Sequence, residues 1–292
     1  MMFEDTEDFL YSPITKEAFE GLRAEEAKAR RICFQTTHSR EPKRSEHPYI
    51  GTFNIPFLNT IKEVYDAGCG LGLIPNQNPQ GGYWRSIQNE NEFQRIKAWV
   101  DRQGSRVFLR DCLDMSLALG MNIALEEGAP PAHTELGDLE SRAKNSADPA
   151  AIAALEDRFA ATIAELPRYR DAKLIAAIPP SPGKTYDFPS VLVGRLAERL
   201  GLQDITSRFQ FAEPKGSVKS TKLEDKWETW AKAGLAFSPR LMNRPSVILV
   251  DDKYQSGCSA HFVASVLREA GAGCIFGIYA VKTLRDSDND HS

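Results

Sequence analysis

The sequence predicts an α/β protein built on a parallel sheet. Three observations carry that expectation. In the second half, short apolar runs alternate with amphipathic helical stretches. The strongest run, Val247 to Val250, ends in adjacent aspartates followed by a loop of small residues. The chain, 292 residues with 42% hydrophobic and 26% charged residues, is long enough for one large domain or two ordinary ones. Strands alternating with helices imply right-handed crossovers and a parallel sheet covered on both faces.

Several classes are set aside at once. No run of about 18 apolar residues occurs, so no membrane span is expected. The opening MMFEDTEDFLYSP is acidic and lacks the apolar core of a secretory signal. Five scattered cysteines (Cys33, Cys69, Cys112, Cys258, Cys274), odd in number and without a CxxC pair, fit reduced thiols in a cytoplasmic protein. A formal net charge of −4 argues against nucleic-acid binding by the whole surface.

Along the chain, EAFEGLRAEEAKARRI reads as a short helix with Phe19, Leu22 and Ala29 on one face, weakened by Glu26 on the same face. Residues 47–88 are dense in Gly, Pro and Asn and read as loops and short strands. NEFQRIKAWVDRQG is a helix ending at Gly104, and SRVFLRDCLDMSLALGMNIALEEG reads as a strand followed by a helix. Two prolines and a glycine at 126–135 mark the expected domain boundary. Residues 1–130 then form an N-terminal module of unknown role, 131–285 the α/β domain, and 286–292 a disordered, acidic tail.

After that boundary, residues 148–166 are helical, opened by Asp148 and Pro149. KLIAAIPPSPGK is a strand running into a Pro/Gly turn. DFPSVLVGRLAERLGL is a helix stopped by Gly201, and DITSRFQF alternates like a strand. Residues 212–235 are charged and lysine-rich. SVILV, HFVASVLREAGA and CIFGIYAVKT read as strand, helix and strand.

The candidate chemistry lies at 247–259. An apolar strand delivers Asp251 and Asp252 at its carboxyl end, where ligands sit in parallel sheets. The loop and the following helix N-terminus offer backbone N–H groups to an anion, Ser256 and Ser259 add hydroxyls, and Gly257 permits close backbone approach. Two acids beside an anion pocket suit a polyol such as ribose, or a hard cation such as Mg²⁺. The combination asks for a phosphorylated sugar.

This segment resembles the 5-phosphoribosyl diphosphate (PRPP) loop of type I phosphoribosyltransferases, in which an apolar strand and two acidic residues precede Thr-Thr-Gly-x-Thr. Gln255 at a usual threonine and Lys253 at a usual apolar position are departures. Within that family the chain is similar to the ComF-like, amidophosphoribosyltransferase-like branch over about residues 133–283. The stretches TELGDLESRAKNSADPAAIAALEDRFA, IPPSPGKTYDFPSVLVGRLAERLGL and KAGLAFSPRLMNRPSVILVDD carry that similarity. The cysteine-pair zinc element that often precedes the branch is missing.

The resemblance implies a sheet of phosphoribosyltransferase type in 131–285, with the N-terminal half as an extension or second domain. It implies that Asp251 and Asp252 hold the ribose hydroxyls and Mg²⁺. Gln255, Ser256, Gly257, Cys258 and Ser259 would hold the 5′-phosphate. The loop 179–184, with Ser181, Gly183 and Lys184, would face the pyrophosphate, Lys184 supplying a cation. Lys215, Lys219 and Lys222 lie where the family carries a mobile loop, and one of them is expected to contact pyrophosphate. The implied reaction transfers a phosphoribosyl group to an unidentified acceptor with release of pyrophosphate, in nucleotide metabolism. The alternatives are a non-catalytic protein that senses PRPP or a nucleotide, and a nucleic-acid-associated accessory factor. A homodimer or another protein partner stays open.

Other signals are weaker. VYDAGCGLG at 64–72 is similar to the glycine-rich first motif of S-adenosylmethionine methyltransferases, but Pro75 and Pro79 forbid the helix that must follow, so it reads as a turn. Cys33, His38, His47 and Cys69 match no common zinc spacing. Cys258 and His261 read as helix-start residues rather than nucleophile and base. Arg23, Lys28, Arg30, Arg31, Arg40, Lys43 and Arg44 make a basic segment, either a solvated face or a contact for nucleic acid.

Overall fold

The computed structural model describes residues 14–26, 28–35, 42–45, 48–77, 81–125, 128, 130–214 and 223–285. The first half runs α1 (Lys16–Ala24), β1 (Arg31–Cys33), β2 (Lys43–Arg44), β3 (Gly51–Ile55), α2 (Lys62–Gly68), β4 (Ile74–Pro75), β5 (Tyr83–Ile87), α3 (Glu90–Gln103), β6 (Val107–Leu109), β7 (Met115–Met121) and β8 (Ile123–Ala124). The second runs β9 (Ala132–His133), α4 (Glu135–Ser146), α5 (Pro149–Glu165), β10 (Leu174–Ala177), α6 (Phe188–Leu200), β11 (Gln203–Asp204), β12 (Phe209–Phe211), α7 (Leu223–Lys232), β13 (Leu235–Phe237), β14 (Val247–Tyr254), α8 (Cys258–Glu269) and β15 (Ile275–Lys282).

Local signals set many of these boundaries. Asp148 caps α5 by accepting from Ala150 N and Ala151 N, with Pro149 in the first turn, where no backbone donor is missed. Asn89 accepts from Glu92 N at the start of α3, and Gly104 ends it. Asp187 caps α6, and Gly201 closes it in the left-handed conformation.

The protein is mixed α/β. Its central sheet has seven strands in the order β1-β6-β7-β15-β14-β10-β11. From β7 through β11 neighbouring strands are parallel, while β6 is antiparallel to both β7 and β1. β14 lies between two parallel neighbours and feeds both faces. Ile248 and Val250 join the core that includes residues of α4, α5 and α6; Val247 and Leu249 join the core that includes residues of α8. Burying each of these aliphatic side chains is worth about 2 kcal/mol. Among the described residues no helix is long and apolar enough to cross a membrane.

Three expectations change. The stretch 105–128 holds β6, β7 and β8 rather than a strand and a helix. β7 is buried at all seven positions between two neighbours, so its sequence lacks the alternation that would distinguish it from a buried helix. DITSRFQF breaks into β11, a 3₁₀ turn at Thr206–Arg208 and β12. The sheet also runs across the boundary expected near residue 130: β1, β6 and β7 precede it, and Phe53, Tyr65 and Trp99 belong to the same core as Val250. The prolines at 130 and 131 sit in the connection of the β8–β9 hairpin. The 64–72 segment is helical in its first half and is followed by β4, so no strand leads into its glycines.

Candidate functional site

The carboxyl ends of β10 and β14 lie side by side, in register at Ala177 and Val250. β14 continues past its apolar run through Asp251 and Asp252 to Tyr254. Asp251 Oδ1 accepts from Asp252 N at 2.8 Å. Burial pushes the Asp251 carboxyl well above the usual carboxylate range, and the adjacent Asp252 charge adds to this. Asp252 N and Lys144 act in the opposite direction. Asp252 Oδ2 is 2.7 Å from Lys144 Nζ, which lies 3.7 Å from Glu140 Oε1, and Lys253 Nζ is 3.0 Å from Glu140 Oε2. Burial works against the Lys144 ammonium, but Asp252, with Glu140 and Asp251, raises its pKa.

The acid pair is therefore one carboxyl whose charged form burial disfavours beside one paired to a lysine. Adjacent carboxyl oxygens suit neighbouring hydroxyls. Among the described residues no group of three or more His, Cys, Asp or Glu side chains is placed to hold a metal ion. Asp251 and Asp252 are the residues that would hold Mg²⁺, and Lys144 pairs with the second of them.

The loop after β14 is enclosed. Gly257 has φ +83°, and a Cβ there would lie 2.3 Å from Tyr254 Oη. The position demands glycine because tyrosine packs beneath the turn. Ser256 is 7% and Cys258 2% exposed. Cys258 N donates to Ser256 Oγ at 3.5 Å. The Ser256 carbonyl accepts from Arg23 Nη1 of α1 at 3.3 Å, and Ser259 Oγ accepts from Trp230 Nε1 of α7 at 3.3 Å. His261, in the first turn of α8, is buried; its Nε2 accepts from Cys112 N, and burial lowers its pKa to about 4. Gln255 is half-buried on the same turn.

The loop after β10 is open. Residues 182–185 are exposed, Gly183 has φ +81°, and nothing stands within 4 Å of a Cβ built on it. Ser181 is half-buried, and its carbonyl accepts from Lys184 N at 3.3 Å. Lys184 Nζ is 2.7 Å from Asp187 Oδ1, whose other oxygen accepts from Ser190 N. The Asp187 carboxylate adds a small upward contribution to the Asp251 pKa. Lys215, Lys219 and Lys222 lie outside the described residues, as do His38, His47, Arg40 and the tail after 285.

Sequence reasoning overlooked Glu140 and Lys144. Their signal is an i,i+4 acid–base pair on α4, which reads as an ordinary solvated face. Several described members of the basic segment make local contacts. Arg23 reaches Ser256, Arg30 donates to the Arg23 carbonyl, Arg31 to the Leu284 carbonyl, and Arg44 pairs with Glu90. All five cysteines are thiols.

No protein-family model matches the chain, and no curated protein matches it. Among solved structures it is similar to adenine phosphoribosyltransferase from Trypanosoma brucei in complex with AMP, pyrophosphate and ribose-5-phosphate. That match has 11% identity, a TM-score of 0.33, and covers 56% of this chain and 74% of that one. Adenine phosphoribosyltransferase from Leishmania tarentolae matches at 12% identity and a TM-score of 0.33, over 58% of this chain and 91% of that one. A third match is to the allosteric regulatory enzyme of purine biosynthesis, at 13% identity and a TM-score of 0.33. It covers 69% of this chain and spans 37% of that chain's length.

Proposed function

We propose that the protein binds PRPP across the carboxyl ends of β10 and β14 and is a phosphoribosyltransferase of the ComF-like kind. The observation that carries this is the acid pair at the tip of a strand flanked by parallel neighbours, with an open, lysine-bearing glycine turn beside it. Asp251 and Asp252 hold neighbouring ribose hydroxyls, and Lys144 fixes the direction of Asp252. The 179–184 turn approaches the pyrophosphate through its backbone, and Lys184 neutralises charge gathering on the leaving group. The backbone of the 255–259 turn and the start of α8 take the 5′-phosphate. Catalysis by such a site rests on positioning and charge neutralisation.

A second reading has its own support. The 255–259 turn is enclosed by α1 and α7, which favours a protein that holds its ligand without rapid exchange, as a sensor would. Calorimetry with PRPP in Mg²⁺-containing buffer, followed by a pyrophosphate-release screen over candidate bases and amines, tests both. Binding is expected to weaken at least 10-fold in the Asp251→Asn/Asp252→Asn double variant, with circular dichroism unchanged. Release of pyrophosphate with any acceptor supports the transferase, and binding without release supports the sensor. Equal binding by the double variant and the natural protein sinks both.

A further inference from the structure

α4 carries a carboxylate where its pattern calls for an apolar side chain. The helix turns Leu136, Gly137, Glu140 and Ala143 inward, and Glu140 is 1% exposed in the middle of that stripe. Burying a carboxylate is costly, because its partners must replace the water it has lost. An apolar side chain of similar size at such a position commonly leaves a fold as stable or more so. The packing of α4 therefore gives no reason for Glu140, and its reason must lie in what it faces.

It faces two ammonium groups. Oε2 is 3.0 Å from Lys253 Nζ, and Oε1 is 3.7 Å from Lys144 Nζ. Oε1 is buried and has no hydrogen-bond partner among the described residues. Lys144 Nζ is 2.7 Å from Asp252 Oδ2, so one ammonium stands between two carboxylates and leans to Asp252. The order Asp252, Lys144, Glu140, Lys253 alternates in sign, and it begins and ends on neighbouring residues of β14. A lysine is a point charge on a flexible stem, and a single partner leaves it many directions. With Asp252 as its only partner, Lys144 could swing across the acid pair and compete with hydroxyl groups for the carboxyl oxygens. Glu140 supplies a second pole on the α4 side and restrains that swing. Lys253, which stands where the family pattern carries an apolar residue, holds the other oxygen of Glu140 and so fixes its direction.

We propose that Glu140 is a positioning residue for the ribose: acting through Lys144, it holds the ammonium on the α4 side of Asp252 and keeps the acid pair open to the sugar hydroxyls. This rests on the reading of Asp251 and Asp252 as the ribose site. Glu140 itself stands one side chain back from the sugar.

Calorimetry of the full chain with ribose 5-phosphate and, separately, with pyrophosphate, both in Mg²⁺-containing buffer, tests it. In Glu140→Gln, ribose 5-phosphate binding is expected to weaken at least 10-fold. Pyrophosphate, which has no sugar hydroxyls, should bind at least as tightly as it does to the natural protein. A merely structural role for Glu140 would weaken both. In a Lys144→Gln background, adding Glu140→Gln should change ribose 5-phosphate affinity less than 2-fold, because Glu140 acts through Lys144. If Glu140→Gln alone fails to fold, Glu140→Gln combined with Lys253→Met removes the buried charge together with its outer partner and carries the result. A natural protein that binds no ribose 5-phosphate overturns the ribose site itself, and this inference with it. A natural protein that binds both ligands, with Glu140→Gln indistinguishable from it or weakened equally for both, overturns the inference alone. So does a further 10-fold loss on adding Glu140→Gln to Lys144→Gln.

Discussion

The loops at the tips of β10 and β14 are neighbours with opposite surroundings. The first is open: residues 182–185 are exposed, and a side chain added at Gly183 would meet nothing. The second is shut in by α1 above, α7 at Ser259 and Tyr254 below. Both have a glycine with positive φ, yet for different reasons: Gly183 needs one only for its turn, while Gly257 also makes room for a tyrosine ring. A glycine in a ligand-loop pattern is thus not by itself a sign that a ligand approaches there. The enclosure also comes from residues far away in sequence, since α1 lies more than 200 residues before the turn it covers.

The contrast can be broken most severely at Gly257. Gly257→Val combines a left-handed backbone with an overlap against Tyr254 and should cost about 5 kcal/mol, much of a domain's stability. Thermal unfolding of this variant near that of the natural protein would show that Tyr254 does not fill the turn. The variant cannot serve as a probe of phosphate binding, because its fold fails first.

Beneath the same turn, burial holds the Asp111 carboxyl up at about 7, against a hydrogen bond from Leu113 N and the nearby hydroxyls of Ser116 and Tyr254. Its folded pKa exceeds its unfolded one, so the folded state binds more protons between about pH 4 and 7. Stability contributed by this group is therefore present at low pH and is lost as pH rises through that window. Asp111→Asn removes the ionisation, and its stability relative to the natural protein should grow by about 3 kcal/mol from pH 5 to pH 8. Denaturant melts at both pH values check this, and a difference that stays flat would mean the carboxyl is not enclosed.

At the open loop the effect is smallest. Lys184 is half exposed and pairs with Asp187, and such pairs contribute roughly 0–1 kcal/mol. Lys184→Ala should shift unfolding by less than about 0.5 kcal/mol while weakening pyrophosphate binding in calorimetry. A large loss of stability would erase the distinction between the two loops.

How far each feature could be read beforehand follows from the range of its cause. Thr15, Asn89, Asp148 and Asp187 cap their helices within three residues of the groups they satisfy, so those starts are written locally. The acid pair at the end of Val247 to Val250 was legible for the same reason, because a strand end and a following helix start lie in one short segment. β7 was not, since its burial comes from β6 and β15, one of them about 160 residues away. Lys144 and Glu140 looked like surface charge until the crossover brought α4 beside β14.

By itself the sequence determined the alternating second half, the caps, and the carboxylates at a strand tip, all set by contacts among near neighbours in the chain. Only the tertiary structure decided that the sheet runs through both halves and that burial raises the pKa of Asp251. The same holds for the gathering of Lys144 and Lys253 around Glu140 and for the covering of the loop after β14. These depend on which distant groups exclude water from one another. Desolvation and charge pairing are properties of proximity in space, and no spacing along the chain encodes them.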